Sequence, residues 1–425
     1  MLLCSDSAGL NGQYSIHSRA ATLRRAADCP DRHAPLRRGA AAVGFGQAAT
    51  FRPEPPDLPT GWLSGTFCAP KADLARACGS GVDPKRKANR MKVDFGVIDH
   101  VDRQHKPIYE TYDSRLKLLE ACDKAGFYAY HVTEHHFTPL GLAPSPLIFY
   151  AAASRITQKI RFAPLVLITT LYNPLRLAAE ICMLDHLTHG RLEIGTGRGV
   201  SGVELGFYNV TEQEAPALYG ESLAVLMAAL TQDTVDYHGK YFKYSNVPIE
   251  MKTLQKPHPP LWYATNSPES AARVGKQNMN LACLVASKEA RSPIDAFRNS
   301  WTSVHGGKDL KLPRAGVARN LYVGENDREA RERGMFGNKG FYESLVYLWR
   351  KHHATHSTLE DVLRSSESTL YTGTPATVRA RIEEDLELSG ADYFIARFAY
   401  GDLTHEESMR SLELFINEVM PHFQK

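Results

Sequence analysis

From Val93 onward, short runs of β-branched and aromatic residues alternate with longer stretches whose apolar positions recur at helical spacing. This is the pattern of a parallel sheet wrapped by helices. Strands are predicted over Val93 to Asp99, Tyr128 to Thr133, Ile160 to Ile168, Arg191 to Gly195, Pro260 to Thr265, Asn280 to Ala286, Gly316 to Val323 and Tyr393 to Phe398. Helices are predicted over Arg115 to Lys124, Pro146 to Ile156, Pro174 to Leu187, Ala217 to Leu230, Pro268 to Val274, Asp327 to Trp349 and Thr377 to Leu388, less distinctly over Ala290 to Ser300, with a last one from Glu406 to Phe423. Eight alternations between residues 91 and 425 predict an α/β fold, a single (β/α)₈ TIM barrel with insertions rather than an open doubly wound sheet. Val235 to Phe242 is expected to be an inserted β-hairpin turning at His238-Gly239. Lys351 to Tyr371 is polar and aperiodic, as expected of an active-site lid or a disordered loop.

Residues 1 to 90 carry no sustained period and are rich in Ala, Arg, Gly and Pro, as in Arg52-Pro53-Glu54-Pro55-Pro56. Such a stretch cannot bury enough apolar surface to offset its conformational entropy, so it is expected to be disordered. It is a targeting peptide, a linker or translated sequence upstream of the true start. The last is preferred, because Met91-Lys92-Val93-Asp94-Phe95-Gly96 opens like a first strand.

The formal charge of +3 divides at Met91: residues 1 to 90 hold 13 Lys/Arg against 7 Asp/Glu, the remainder 37 against 40. The barrel region is therefore slightly acidic and offers no footprint for nucleic acid or an anionic membrane. No stretch approaches the ~20 uninterrupted apolar residues of a bilayer span, and the start lacks a basic region followed by an apolar one, so a cytoplasmic protein is expected. The cysteines have no CxxC spacing, and Cys122, Cys182 and Cys283 lie in apolar periodic runs; reduced, buried thiols are expected.

Three clusters carry chemistry. His131-Val132-Thr133-Glu134-His135-His136-Phe137 matches the HxxEH pattern of some zinc peptidases, but that motif needs a helix. On a strand, His131 and His135 stand ~13 Å apart, too far to share a metal. What remains is Glu134, His135 and His136 at the C-terminal end of a barrel strand, where barrel enzymes place catalytic groups. The second cluster runs from Gly190 to Gly199 and holds Arg198 between Gly197 and Gly199. It lacks the helix start and distant acidic residue of a dinucleotide fingerprint, but a guanidinium between glycines suits a phosphate. In the third, Ala264 to Ser270, Ser267 is placed to cap a helix with Pro268 at its first position, and that helix N-terminus is a ready anion site.

These clusters in this order resemble bacterial luciferase and its flavin-dependent monooxygenase relatives over essentially all of residues 91 to 425. The resemblance rests on Glu134-His135-His136-Phe137-Thr138 with Gly141-Leu142, Asn173-Pro174-Leu175-Arg176 with Leu184-Asp185, Gly190 to Gly199, Gly373-Thr374-Pro375, and Ser411 to Phe415 with Val419-Met420-Pro421. It implies reduced FMN at the C-terminal face of the barrel, reaction with O₂ to a flavin C4a-hydroperoxide, and oxygen transfer to a small organic substrate. It also implies a separate NAD(P)H:flavin reductase and a homodimer. His135 corresponds to the family's catalytic histidine and Arg198 to its FMN-phosphate arginine. Asn266, Ser267 and Ser270 correspond to the second half of the phosphate site, and Leu165-Val166 to the segment beside the isoalloxazine ring, where the family often has an unusual peptide geometry. Gly197 stands where luciferase α subunits have a reactive cysteine, and Lys351 to Tyr371 departs from the luciferase mobile loop, which argues against light emission more than against flavin use. The alternatives are an F420-dependent oxidoreductase of the same fold and a catalytically silent flavin-binding barrel. A metal-dependent hydrolase is disfavoured, since Asp99-His100-Val101-Asp102 lacks an HxH pair.

Overall fold

The computed structural model describes residues 93–354 and 357–424; the expectation for residues 1 to 90 lies outside the described residues. The strands are β1 (Asp94–Asp99), β2 (Ala129–Val132), β3 (Arg161–Phe162), β4 (Leu167–Ile168), β5 (Ile194–Gly197), β6 (Thr234–His238), β7 (Lys243–Pro248), β8 (Leu261–Ala264), β9 (Asn280–Cys283), β10 (Ala315–Val323), β11 (Leu370–Gly373) and β12 (Tyr393–Arg397). The helices are α1 (Ile108–Ala125), α2 (Pro146–Ala153), α3 (Pro174–Leu187), α4 (Gly202–Phe207), α5 (Ala215–Thr231), α6 (Pro268–Lys276), α7 (Ser287–His305), α8 (Asp327–Lys351), α9 (Leu359–Ser366), α10 (Pro375–Ser389), α11 (His405–Leu414) and α12 (Met420–Phe423).

All pairings in the main sheet are parallel. β1 pairs with both β2 and β12, and β10 pairs with β9 and β12. β8 joins β5 to β9, β3 pairs with β2, β4 pairs with β5, and a parallel bridge from Phe162 to Leu192 completes the ring. With β3 and β4 taken as one interrupted strand, this is the expected (β/α)₈ barrel. β6 and β7 form an antiparallel hairpin, as expected, but it is longer than Val235 to Phe242: Gly239 and Phe242 close the turn, and the second strand follows it.

Strand alternation divides the core. Outward side chains such as Phe95, Val97, Tyr130, Val132 and Phe394 pack under the helices, while Ile98, Ala163, Leu165, Trp262, Ala318, Tyr393 and Ile395 fill the barrel. Tyr393 takes so much of the interior that a Cβ on Gly96 would lie 1.8 Å from its hydroxyl oxygen and one on Gly316 2.9 Å from its ring. At the N-terminal end, the buried carboxylate of Glu193 accepts hydrogen bonds from Arg161, Tyr128 and Trp262 and closes the barrel floor.

Three departures from the predicted elements have local causes. The third strand breaks at Pro164, which has no N–H for the ladder, and β5 follows the break: a Cβ on Gly195 would meet the Pro164 carbonyl oxygen at 1.9 Å. Lys351 to Tyr371 is not a structureless loop. Thr358 and Asp361 form a reciprocal capping box that starts α9, and β11 adds to β10 in the register Asn320↔Leu370 to Val323↔Gly373. The last predicted helix is interrupted by a π-helical turn at Phe415–Val419, just ahead of Pro421, whose missing N–H cannot continue the α-helical bonding. Helix α7 (Ser287–His305) runs past both ends of the predicted stretch from Ala290 to Ser300, with Pro293 inside it.

Candidate active site

Inward positions near the strand C-termini build the site. His131 points into the barrel, with Nε2 2.8 Å from the Tyr393 hydroxyl and Nδ1 3.0 Å from the carbonyl oxygen of Ala163; burial lowers its pKa to about 3. It is a core histidine. Two alternations further along, His135 reaches the barrel mouth.

His135 is oriented by a carboxylate that no motif announced. Glu204 lies on α4, which Ser201 caps, and accepts from His135 Nδ1 at 3.1 Å and from the backbone N–H of His136 at 2.8 Å. A carboxylate that only accepts forces the proton onto Nδ1, so Nε2 of a neutral ring is left as the acceptor. His136 is bonded at both ring nitrogens, Nε2 donating to Glu134 at 2.8 Å and Nδ1 accepting from the Tyr208 hydroxyl at 2.8 Å. The other Glu134 oxygen accepts from the Ile168 N–H at 2.9 Å, tying the end of β2 to β4. Glu134 and His136 thus fix the loop, and His135 is the member free to act.

His100, just past β1, stacks on His135 with ring centroids 5.6 Å apart and planes 17° apart. Its edge faces Phe341 of α8 at 5.0 Å. Burial, then Arg397, then His135 hold its pKa well below the usual histidine value, so it is neutral at physiological pH. Arg397, at the end of β12, completes this layer. Glu204, His100 and Arg397 are not identified by sequence; they come from separate elements of the chain, and spacing along it carries no trace of their meeting.

The peptide bond between Leu165 and Val166 is cis, and Leu165 packs in the barrel interior. Next to this segment, a Cβ on Gly197 would meet Val166 Cγ2 at 2.3 Å, so a larger residue there would push the third strand aside. Arg198 follows β5, half-buried, and no carboxylate among the described residues pairs with its guanidinium. Since β5 and β8 are paired in register, Ile194↔Leu261 and Gly195↔Trp262, the Arg198 loop and the start of α6 lie at the ends of adjacent strands. There Ser267 caps α6 by accepting from Ser270 N–H at 3.4 Å, Asn266 Oδ1 accepts from Leu284 N–H at 2.9 Å, and Ser270 Oγ accepts from Arg273 at 2.8 Å. Their acceptor oxygens are therefore used internally, while the Asn266 amide N–H and the Ser267 hydroxyl proton stay available to an anion. The strand order brings all the expected residues to one face.

A cavity of about 320 Å³ lies at the opposite end, lined by Val93, Asp94, Phe95, Gly126, Tyr128 and Gln424, with no histidine and none of the residues of the His135 cluster. Chemistry, not volume, locates the site. Cys122, Cys182 and Cys283 are free and buried, and burial raises each thiol pKa, that of Cys283 to about 12; none is poised as a nucleophile. Among the described residues no helix is long and apolar enough to cross a membrane.

Residues 93–393, which span this barrel and its mouth, match the family of luciferase-like monooxygenases, and the chain belongs to that family. It is 35% identical over 340 residues to the uncharacterized protein y4wF of Sinorhizobium fredii, covering 79% of this chain and 98% of that one. It is 23% identical to the oxygenase component of the flavin-dependent trigonelline monooxygenase of Acinetobacter baylyi, covering 78% and 96%. Among solved structures, the oxygenating constituent of 3,6-diketocamphane monooxygenase from Pseudomonas putida, in complex with FMN, shares the fold with a TM-score of 0.63 at 21% identity, covering 78% of this chain and 99% of that one. So does the coenzyme F420-dependent tetrahydromethanopterin reductase of Methanopyrus kandleri, with a TM-score of 0.60 at 18% identity and coverage of 78% and 99%.

Proposed function

We propose that the chain is the oxygenase component of a two-component system. It takes reduced FMN from a separate NAD(P)H:flavin reductase, admits O₂, and transfers one oxygen atom to a small organic substrate, the other leaving as water. The observation that carries this reading is His135, held by Glu204 in the tautomer whose Nε2 is a free proton acceptor at the barrel mouth. Reduced flavin, when bound, supplies the electrons and the oxygen chemistry. The protein positions and handles protons: His135 accepts or returns a proton at Nε2, and Glu204 stabilises the ring when it is charged. Arg198 would hold the phosphate, with Asn266, Ser267 and Ser270 at the start of α6 as the other half of its site, and Leu165-Val166 would border the flavin ring. The unpaired Arg198 guanidinium and the free donors beside it fit a phosphate monoester. A homodimer in the cytoplasm is the proposed setting, which suits three buried free thiols.

Arg198→Ala tests the binding half of this assignment. A charge-assisted contact contributes ~1.5–3 kcal/mol, so affinity for reduced FMN is expected to fall by roughly one to two orders of magnitude, with a smaller change in turnover at saturating flavin. Equilibrium titration of reduced FMN under anaerobic conditions checks it. Unchanged affinity would move the phosphate elsewhere, and preferential binding of reduced F420 would replace the oxygenase reading with hydride transfer.

A further inference from the structure

The top of the barrel interior holds more hydrogen-bonding capacity than the protein uses. Tyr393 and Ile395 of β12 point inward, so alternation sends Arg397 inward too, at the C-terminal end. Its residue is 7% exposed. Nη1 donates to Asn320 Oδ1, and Cζ lies 4.4 Å from the centroid of the Phe341 ring. Its Nε is buried with no partner, and its Nε–Nη2 edge makes no hydrogen bond among the described residues.

Among the described residues no carboxylate is bonded to this cation. The two that influence it most, Asp102 and Asp99, are already committed. Asp102 accepts from Arg115 at 3.0 Å and from the Gly401 N–H. Asp99 accepts from Arg115 at 3.2 Å, Tyr130 at 2.6 Å and the Val101 N–H at 2.7 Å. Asn320 is itself held by Asn338 of α8 at 2.7 Å, and Asn338 by Ser366 of α9 at 2.8 Å, so the engaged arm of the guanidinium is fixed and its open edge is aimed. Around it, His100 Nδ1, Thr133 Oγ1 and the Tyr400 hydroxyl are also buried without partners. His100 and Thr133 lie one residue past the ends of β1 and β2, the strands that follow β12 around the ring, and the Thr133 N–H donates to the Asp99 carbonyl at 3.0 Å. Buried cations are ordinarily paired, and buried polar atoms ordinarily bonded.

We propose that Arg397, with His100 and Thr133 beside it, seats a carboxylate of the organic substrate. This rests on reading the same barrel mouth as the oxygenation site. The side-on Nε–Nη2 edge matches a planar carboxylate in a bidentate pair, and His100 and Thr133 each offer one more bond to it. His100, which borders the seat, stacks on His135 with ring centroids 5.6 Å apart, so the carboxylate anchors one end of the substrate and presents its carbon skeleton to the reacting face.

The test uses the full-length flavin-free protein and matched probes: benzoate and hexanoate against benzamide and hexanamide, by calorimetry and by thermal shift. The carboxylates are expected to bind saturably and to raise the melting temperature, and the amides to bind at least ~10-fold more weakly. Arg397→Met is expected to weaken carboxylate binding by ~10- to 100-fold, and Arg397→Lys less, because an ammonium cannot form the fork. The acid–amide comparison stands on the unmodified protein, so it does not depend on the variant folding. Equal binding of acids and amides, or binding of neither, overturns the proposal. So does an Arg397→Met protein that keeps benzoate but loses FMN, which would assign the guanidinium to the flavin. Because the acid–amide comparison itself uses no flavin or oxygen, failure of the oxygenase reading shows separately, as absent product formation with reduced FMN.

Discussion

Replacing His135 by alanine is expected to slow oxygen transfer to substrate by ~10²- to 10⁴-fold, the usual contribution of a positioned acid/base, while leaving affinity for reduced flavin nearly intact. The imidazole sits at the barrel mouth beside His100, on the β2 side, whereas Arg198 and α6 lie beyond β5 and β8. Loss of the proton carrier should also raise hydrogen peroxide release per flavin oxidised. Glu204→Gln separates positioning from loss of fold: the amide still spans His135 and the His136 N–H, but it no longer enforces the Nδ1–H tautomer or stabilises a charged ring. It should therefore lower turnover at unchanged KM and shift the pH profile. An alanine variant that couples oxygen to product as well as the parent would remove His135 from the chemistry.

The second large effect concerns stability. Arg319 and Asp385 are both fully buried and form a bidentate pair, Nε to Oδ2 at 2.7 Å and Nη2 to Oδ1 at 2.9 Å. The Tyr371 hydroxyl donates to the same carboxylate at 2.8 Å, and Arg319 Nη1 donates to the carbonyls of Val285 and Ala318. The pair thus fastens β10, β11 and α10 together. Asp385→Ala strands a buried guanidinium and should cost ~3–5 kcal/mol, a fall in melting temperature of roughly 4–7 °C for a barrel of this size. The double change Arg319→Met with Asp385→Leu should recover most of that loss, since an apolar pair needs no counterion. Calorimetry of the single and double variants checks both. A single variant that melts with the parent would mean that water reaches the guanidinium.

The barrel is legible in the sequence because most of its strands are short apolar runs rich in β-branched or aromatic residues, and inward-facing Tyr393, Trp262 and Leu165 need no partner motif to find the core. The site is legible where neighbours in sequence are neighbours in space, as at Glu134-His135-His136 and at Arg198 between its glycines. It is not legible across loops. Glu204 stands 69 positions from His135, on a helix of only six residues with no distinctive pattern. Arg397 reads as the last residue of a core strand, and the one pattern that His100 suggests is a metal pair that its neighbours do not complete. In Lys351 to Tyr371, helix α9 is only two turns long: Leu359, Val362 and Leu363 give it a half-buried apolar face and Thr358 and Asp361 a capping pair, but eight residues are too few for that pattern to stand out in a polar stretch.

Stopped-flow mixing of the protein and reduced FMN with oxygenated buffer tests the proposed activity most directly. Bound flavin is expected to reoxidise more slowly than free reduced FMN and in more than one spectral phase, with little peroxide released in the early phase. A single phase at the rate of free reduced FMN, with full peroxide release, would contradict the assignment of this barrel as an FMN-dependent oxygenase.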